Sequence, residues 1–265
     1  MKSLPMYFPE RFDLQLANTC IQLNICAYDM YHQWVAQGKP RKTAKFHWQP
    51  QAQLAENFEC SAPIWSDLEW FGCIDRSEPF GFIVTSKQDG QRYLVFRGTE
   101  TASDWAVDID ADQEDYGLGY GDAHHGFLKL YRSLEDEMLD VLDSLEDITQ
   151  LIVTGHSLGC GLSTLAIPKL IEQYPNTQLT HYNFASPRVA SIPFAEKYNN
   201  NGTLTFRVVN TCDLVPQLPS AVFGKALYQH LGTPINFTAQ YGSIEENHDP
   251  AHYQYALEHT DNPMP

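Results

Sequence analysis

Gly155-His156-Ser157-Leu158-Gly159 places a serine between two glycines spaced two residues on either side. Such spacing allows a serine side chain to be thrust out of a sharp strand-to-helix turn, where neither flanking position can tolerate a Cβ. The flanks agree, because the apolar run LIVTG (151–155) reads as a strand and Leu158 to Gln173 as a helix. Leu158 therefore offers a backbone N–H beside the serine, at the positive end of a helix, where negative charge on a reacting oxygen would be stabilised. A serine hydroxyl is a poor nucleophile until a neutral imidazole removes its proton and a carboxylate holds that imidazole in the right tautomer. Asp213 fits the acid, since it follows a strand ending at Asn210 and precedes Val215-Pro216 on a loop. ENHDPAHYQYAL (246–257) offers two histidines, His248 and His252.

Positioning these groups requires a sheet, and the pattern supplies one. Asp13 is placed to cap a helix whose apolar face runs Leu14, Ala17, Ile21, Ile25, Tyr28, Tyr31 and Val35, ending at Gly38 and Pro40. The chain to about residue 66 lacks a clear period and reads as an irregular connection. GFIVTS (81–86) and RYLVFRG (92–98) read as a hairpin, followed by a helix from Phe127 to Leu145. Strands at 151–155, 180–186 and 205–210, short strands near 228–238, and a helix from about Asp249 to His259 complete the order. Strands alternating with amphipathic helices predict an α/β fold with a largely parallel central sheet flanked by helices on both faces. We expect one domain over 1–265, with the N-terminal helix and connection as 1–66 and the core as 67–265.

Composition narrows the partners. The 265 residues are 43% hydrophobic and 19% charged, enough to bury a core. With 17 basic against 33 acidic residues, the net charge of -16 repels nucleic acid and anionic bilayers, whereas an uncharged lipid or ester is compatible. No stretch approaches the roughly 20 apolar residues of a membrane span, and the N-terminus shows no export signal. The expectation is a soluble, cytoplasmic protein, or a secreted one if a leader has been trimmed. The six cysteines lack zinc-site spacing and read as free thiols. Neither a metal nor an organic cofactor is required.

Several blocks, in order, resemble the class 3 lipase family, which includes the fungal triacylglycerol lipases: VFRGTETASDW (95–105), HHGFLKLY (124–131), VTGHSLGCGLSTLA (153–166), NFASPRVAS (183–191) and RVVNTCDLVPQLP (207–219). Departures are Cys160 and Gly161, where Gly and Ala are common, and Ala185, where Gly is usual. The resemblance implies an α/β-hydrolase fold, Ser157 as nucleophile, Asp213 as triad acid and Thr99 as an oxyanion donor alongside Leu158. His252 with Tyr255 matches the fungal His-x-x-Tyr. His248 with Tyr253 matches the bacterial and plant pattern apart from Pro250, which suits a helix's first turn and leaves His248 on the loop before it. His248 is the preferred base and His252 the alternative; His156 and His230 read as core or surface histidines. Residues 101–110, with Asp104, Trp105 and Ile109, resemble the family's lid.

The implied activity is hydrolysis of acyl esters such as acylglycerols through an acyl-enzyme on Ser157, with transient contact at a lipid–water interface. Alternatives are an acyltransferase, a phospholipase A1 or a feruloyl esterase using the same triad, and a non-catalytic lipid- or partner-binding module on the same fold.

Overall fold

The computed structural model describes residues 4–40, 46–67, 77–99, 112–146 and 148–260. Its elements are α1 (Leu14–Ala36), α2 (Ala52–Asn57), β1 (Phe58–Cys60), β2 (Ile64–Ser66), β3 (Glu78–Ser86), β4 (Arg92–Phe96), β5 (Gln113–Asp115), β6 (Asp122–His124), α3 (His125–Asp143), β7 (Gln150–His156), α4 (Leu158–Gln173), β8 (Gln178–Phe184) and β9 (Ala190–Ser191). There follow α5 (Ile192–Asn199), β10 (Leu204–Asn210), a 3-10 turn (Val215–Gln217), β11 (Val222–Phe223), β12 (Ala226–Gln229), β13 (Thr233–Phe237), α6 (Ile244–His248) and α7 (Pro250–Glu258).

The main sheet has 8 strands in the order β1-β3-β4-β7-β8-β10-β13, with β2 also on β3. β4, β7, β8, β10 and β13 are mutually parallel, and the β1, β2 and β3 edge is antiparallel. Side chains alternate along each strand, so Leu94 and Phe96 enter one core layer with α3 and α4, while Tyr93 and Val95 enter the other with α1 and α7. This is the α/β-hydrolase arrangement expected from the sequence, with helices on both faces.

Part of 1–66 is more regular than its composition suggested. α2, β1 and β2 lie in the supposed irregular connection, and β1 and β2 are held by pairing with β3. Three-residue strands carry too little alternation to read from sequence; their hydrogen-bonding partner decides them. Of a second sheet, β11-β12-β9-β6-β5, the expected short strands near 228–238 meet only β12, and α5 carries no expectation although Ser191 caps it by accepting from the Phe194 N–H. α1 does begin at Asp13, whose carboxylate accepts from the Leu16 N–H at 2.9 Å. Cys20, Cys26, Cys60, Cys160 and Cys212 are free thiols; Cys73 lies outside the described residues. Among the described residues no helix is long and apolar enough to cross a membrane.

His181, which is buried, and His230, which is half-buried, are held uncharged. His181 lies in the core between the Tyr198 hydroxyl at 2.6 Å and Ser163 Oγ at 2.9 Å, and burial pulls its pKa down to about 3. His230, bonded to the Pro216 carbonyl at 2.9 Å, is pulled down to about 3 by burial and then by Arg207. Between that value and the ordinary one of 6.5 the unfolded chain binds protons the folded chain refuses, so stability falls as pH falls. Each such histidine contributes a slope of about 1.4 kcal/mol per pH unit. His181→Gln should flatten the pH dependence of the unfolding free energy by about that much between about pH 6 and pH 4, as measured by urea titrations; an unchanged slope would show that His181 is protonated in the folded state.

Candidate active site

Ser157 occupies the turn from β7 into α4 with φ 59° and ψ −126°, a conformation that costs a residue with a Cβ about 1–3 kcal/mol. The surroundings impose it. The Ser157 N–H donates to the Phe184 carbonyl at 3.0 Å, a Cβ on Gly155 would collide with the Gly159 carbonyl oxygen, and one on Gly159 would collide with that of Phe96. Gly161 follows the same logic, because a Cβ there would stand 2.9 Å from the Phe127 ring. Ser157 is 1% exposed, and its Oγ has no hydrogen-bond partner.

Asp213 leaves the carboxyl end of β10. Its Oδ1 accepts from the Val215 N–H at 2.9 Å, and its Oδ2 accepts from His248 Nδ1 and from the Tyr253 hydroxyl, both at 2.7 Å. Because Nδ1 of His248 donates to the carboxylate, Nε2 is the nitrogen that is free to accept a proton; it is buried and has no partner. Asparagines tie the two segments together: Asn210 Nδ2 donates to the Asn247 carbonyl at 3.1 Å, and Asn247 Nδ2 to the Cys212 carbonyl at 3.1 Å. His248 ends the short helix α6 rather than lying on a loop, since Asp249 is already the cap of α7. His252 is turned elsewhere, with Nδ1 donating to the Glu246 carbonyl at 2.6 Å and its ring stacked 3.7 Å from that of Tyr241.

The chain leaving β4 passes against the serine. A Cβ on Gly98 would lie 2.8 Å from Ser157 Cβ, so only glycine permits this approach. Thr99 is next, with a buried Oγ1 that has no partner, while Leu158, first in α4, has an N–H with no acceptor inside its helix. Arg97 fixes this segment from beneath. Its Nε donates to the Pro79 carbonyl at 2.6 Å, Nη1 to the Gly98 carbonyl at 2.8 Å and Nη2 to Glu78 at 2.8 Å, and the guanidinium sits 4.0 and 4.1 Å from the centres of the Tyr31 and Phe80 rings.

Two further residues, read from sequence as packing groups, join the constellation. His156 Nε2 donates to the His248 carbonyl at 2.9 Å, which leaves Nδ1 to accept from the Tyr28 hydroxyl at 2.8 Å. Burial, and then the neighbouring His248, hold the His156 pKa well below the ordinary range, so it stays neutral in that tautomer. Tyr28 of α1 thereby reaches the histidine of α6 through one buried imidazole. No local signal marks this, because the partners are far apart in the chain. Tyr28, His32, Thr99, His156, Glu245 and His248 line a cleft of about 300 Å³; wider clefts beside α1 and the β1–β3 edge contain none of the candidate triad or oxyanion residues. Asp104, Trp105 and Ile109 lie outside the described residues. Among the described residues no group of three or more His, Cys, Asp or Glu side chains is arranged to hold a metal ion.

The family profile for class 3 lipases matches residues 93–223, from β4 through the elbow to β11. The chain belongs to the class 3 lipase family. It is 30% identical to a lipase of Caenorhabditis elegans over 54% of this chain and 42% of that protein. It is 29% identical to the secreted mono- and diacylglycerol lipase A of Penicillium cyclopium over 73% of this chain and 68% of the relative. The chain thus spans less than half of the nematode protein. The crystal structure of a lipase from Rhizopus microsporus var. chinensis matches 87% of this chain and 76% of its own with a TM-score of 0.65 and 25% identity. One departure of this class 3 lipase now has a physical reading: Ala185 takes φ 56°, a left-handed conformation that favours glycine.

Tyr28→Phe keeps the ring and removes the proton donated to His156. It should slow fluorophosphonate labelling of Ser157 by roughly tenfold, through a looser His248, and cost about 1–3 kcal/mol of stability for an unpaired buried nitrogen. Labelling at the native rate would mean that the contact does not position His248.

Proposed function

We propose that this class 3 lipase hydrolyses uncharged acyl esters through an acyl-enzyme on Ser157. The observation that carries the reading is the 2.7 Å contact of His248 Nδ1 with buried Asp213, which leaves Nε2 as the acceptor, together with a strained, buried serine whose hydroxyl is free. In the first half-reaction His248 Nε2 takes the Ser157 proton as Oγ attacks the ester carbonyl. The resulting oxyanion is met by the Leu158 N–H and by Thr99. His248 then protonates the departing alcohol, and water repeats the cycle on the acyl-enzyme to release the acid. Arg97 and Glu78 hold the Gly98–Thr99 segment in place before substrate arrives, so the donors need no reorganisation as charge develops.

Kinship points to both acylglycerols and phospholipids, and charge favours the first. The cleft is bordered by Glu245 and Asp249 on a chain of net charge -16, which disfavours anionic phospholipids and so a phospholipase A1 acting on them. The Penicillium relative is named for mono- and diacylglycerols, which supports acylglycerols here, and it is named as secreted, which supports the secreted over the cytoplasmic alternative. A purely binding role leaves the strained serine and the unpaired imidazole nitrogen without a use.

The test is turnover of p-nitrophenyl esters from C2 to C16 by the native chain and by Ser157→Ala. Activity should fall by at least about 1000-fold in the variant, and release of an alkyl ester on adding alcohol would report the acyl-transfer branch. A folded native chain inactive on every ester would overturn the proposal.

A further inference from the structure

Beyond Asp213 the chain changes character. From Leu214 to Ile244 there is no Asp or Glu, and Lys225 is the only Lys or Arg, in a protein with 33 acidic residues. The same stretch carries five of the eight large apolar side chains exposed among the described residues: Leu214, Val222, Phe223, Leu227 and Ile244. Three of them are on one hairpin. Val222 of β11 faces Leu227 of β12, and Phe223 faces Ala226. Cross-strand partners share a face, so Val222 and Leu227 lie on one side and Phe223 on the other. With exposures of 65%, 46% and 44%, the hairpin stands clear of the body on both sides.

Its base, by contrast, is held firmly. Tyr228 is buried, donates its N–H to the Ala221 carbonyl at 2.9 Å, and pairs with Ser191 of β9. Gln113 Nε2 donates to the Leu227 carbonyl at 3.0 Å, and Arg188 Nη1 to that of Pro219 at 2.8 Å. The hairpin is also continuous with the candidate active site, because it grows from the loop that displays Asp213, through half-exposed Leu214.

We propose that the β11–β12 hairpin, with Leu214, is a docking surface for an uncharged acylglycerol–water interface, holding the site against the substrate phase; this rests on the ester-hydrolase reading. Docking removes Val222, Phe223 and Leu227 from water, and an exposed apolar group rimmed by polar surface is suited to that end. No carboxylate has to be desolvated with them, and Lys225 can keep its ammonium in water while its stem lies along the lipid. An uncharged interface also leaves the rest of the acidic protein unopposed, which an anionic bilayer would not.

Binding is measured with the full-length Ser157→Ala protein, so that failure of hydrolysis and failure of docking are read separately. Flotation with triolein droplets should show binding that falls by at least about tenfold in Val222→Ser/Phe223→Ser/Leu227→Ser. The single variant Val222→Asp, at a side chain already largely in water, should weaken binding in the same direction and guards against a misfolded triple variant. With Ser157 restored, turnover of p-nitrophenyl acetate in solution should stay within about twofold of native. Droplet binding unchanged in both folded variants would overturn the proposal. So would loss of self-association in the variants with droplet binding unchanged, since the hairpin would then be an interface between copies of the chain.

Discussion

The close crossing of β7 and α4 is the constraint on which the site depends. Gly155 and Gly159 let strand and helix meet with no side chain between them, and β4 runs close enough that the Phe96 carbonyl faces the same point. That crossing forces Ser157 to φ 59° and fixes the start of α4 beside it. The strain at one residue is small against the burial of α4, of whose 16 residues 12 are buried. Packing that stabilises the fold therefore also holds the serine out of its preferred conformation.

Around this point the protein buries a cluster of polar groups and satisfies most of them with one another. Arg97, His156, Asn210, Asp213, Asn247 and His248 are all at most 5% exposed. Each would be costly without partners, and each is bonded across elements distant in sequence. Arg97 joins β3 to the Gly98 turn, the two asparagines join the ends of β10 and α6, and His156 joins α1 to α6. The exceptions are informative. Ser157 Oγ, Thr99 Oγ1 and His248 Nε2 have no partners, and they are the atoms that the proposed hydrolysis uses.

Charge divides the surface in a complementary way. The acidic residues that dominate the chain border the cleft on the α6–α7 side through Glu245 and Asp249, while the acid-free stretch from Leu214 to Ile244 carries apolar groups into water. A substrate with no net charge meets no electrostatic barrier at the first and gains burial at the second.

Sequence by itself determined the layered fold and the candidate nucleophile. Alternating strands and amphipathic helices have local periods that survive without partners, and the glycine spacing around Ser157 states a steric demand that can be read from five residues. Asp213 and His248 are singled out chiefly by the family resemblance of the blocks around them, since position alone leaves many acids and two histidines open. Tertiary structure alone decided what lies between these points. β1 and β2 are too short to show a period and exist because β3 accepts them, while the short strands of the second sheet are held by pairing with one another. The pairing of His248 rather than His252 with Asp213 depends on which way α6 presents each ring. Tyr28 and His156 resembled ordinary core residues because a hydrogen bond between distant segments leaves no trace in either local pattern; only the closed fold brings their donors and acceptors within reach.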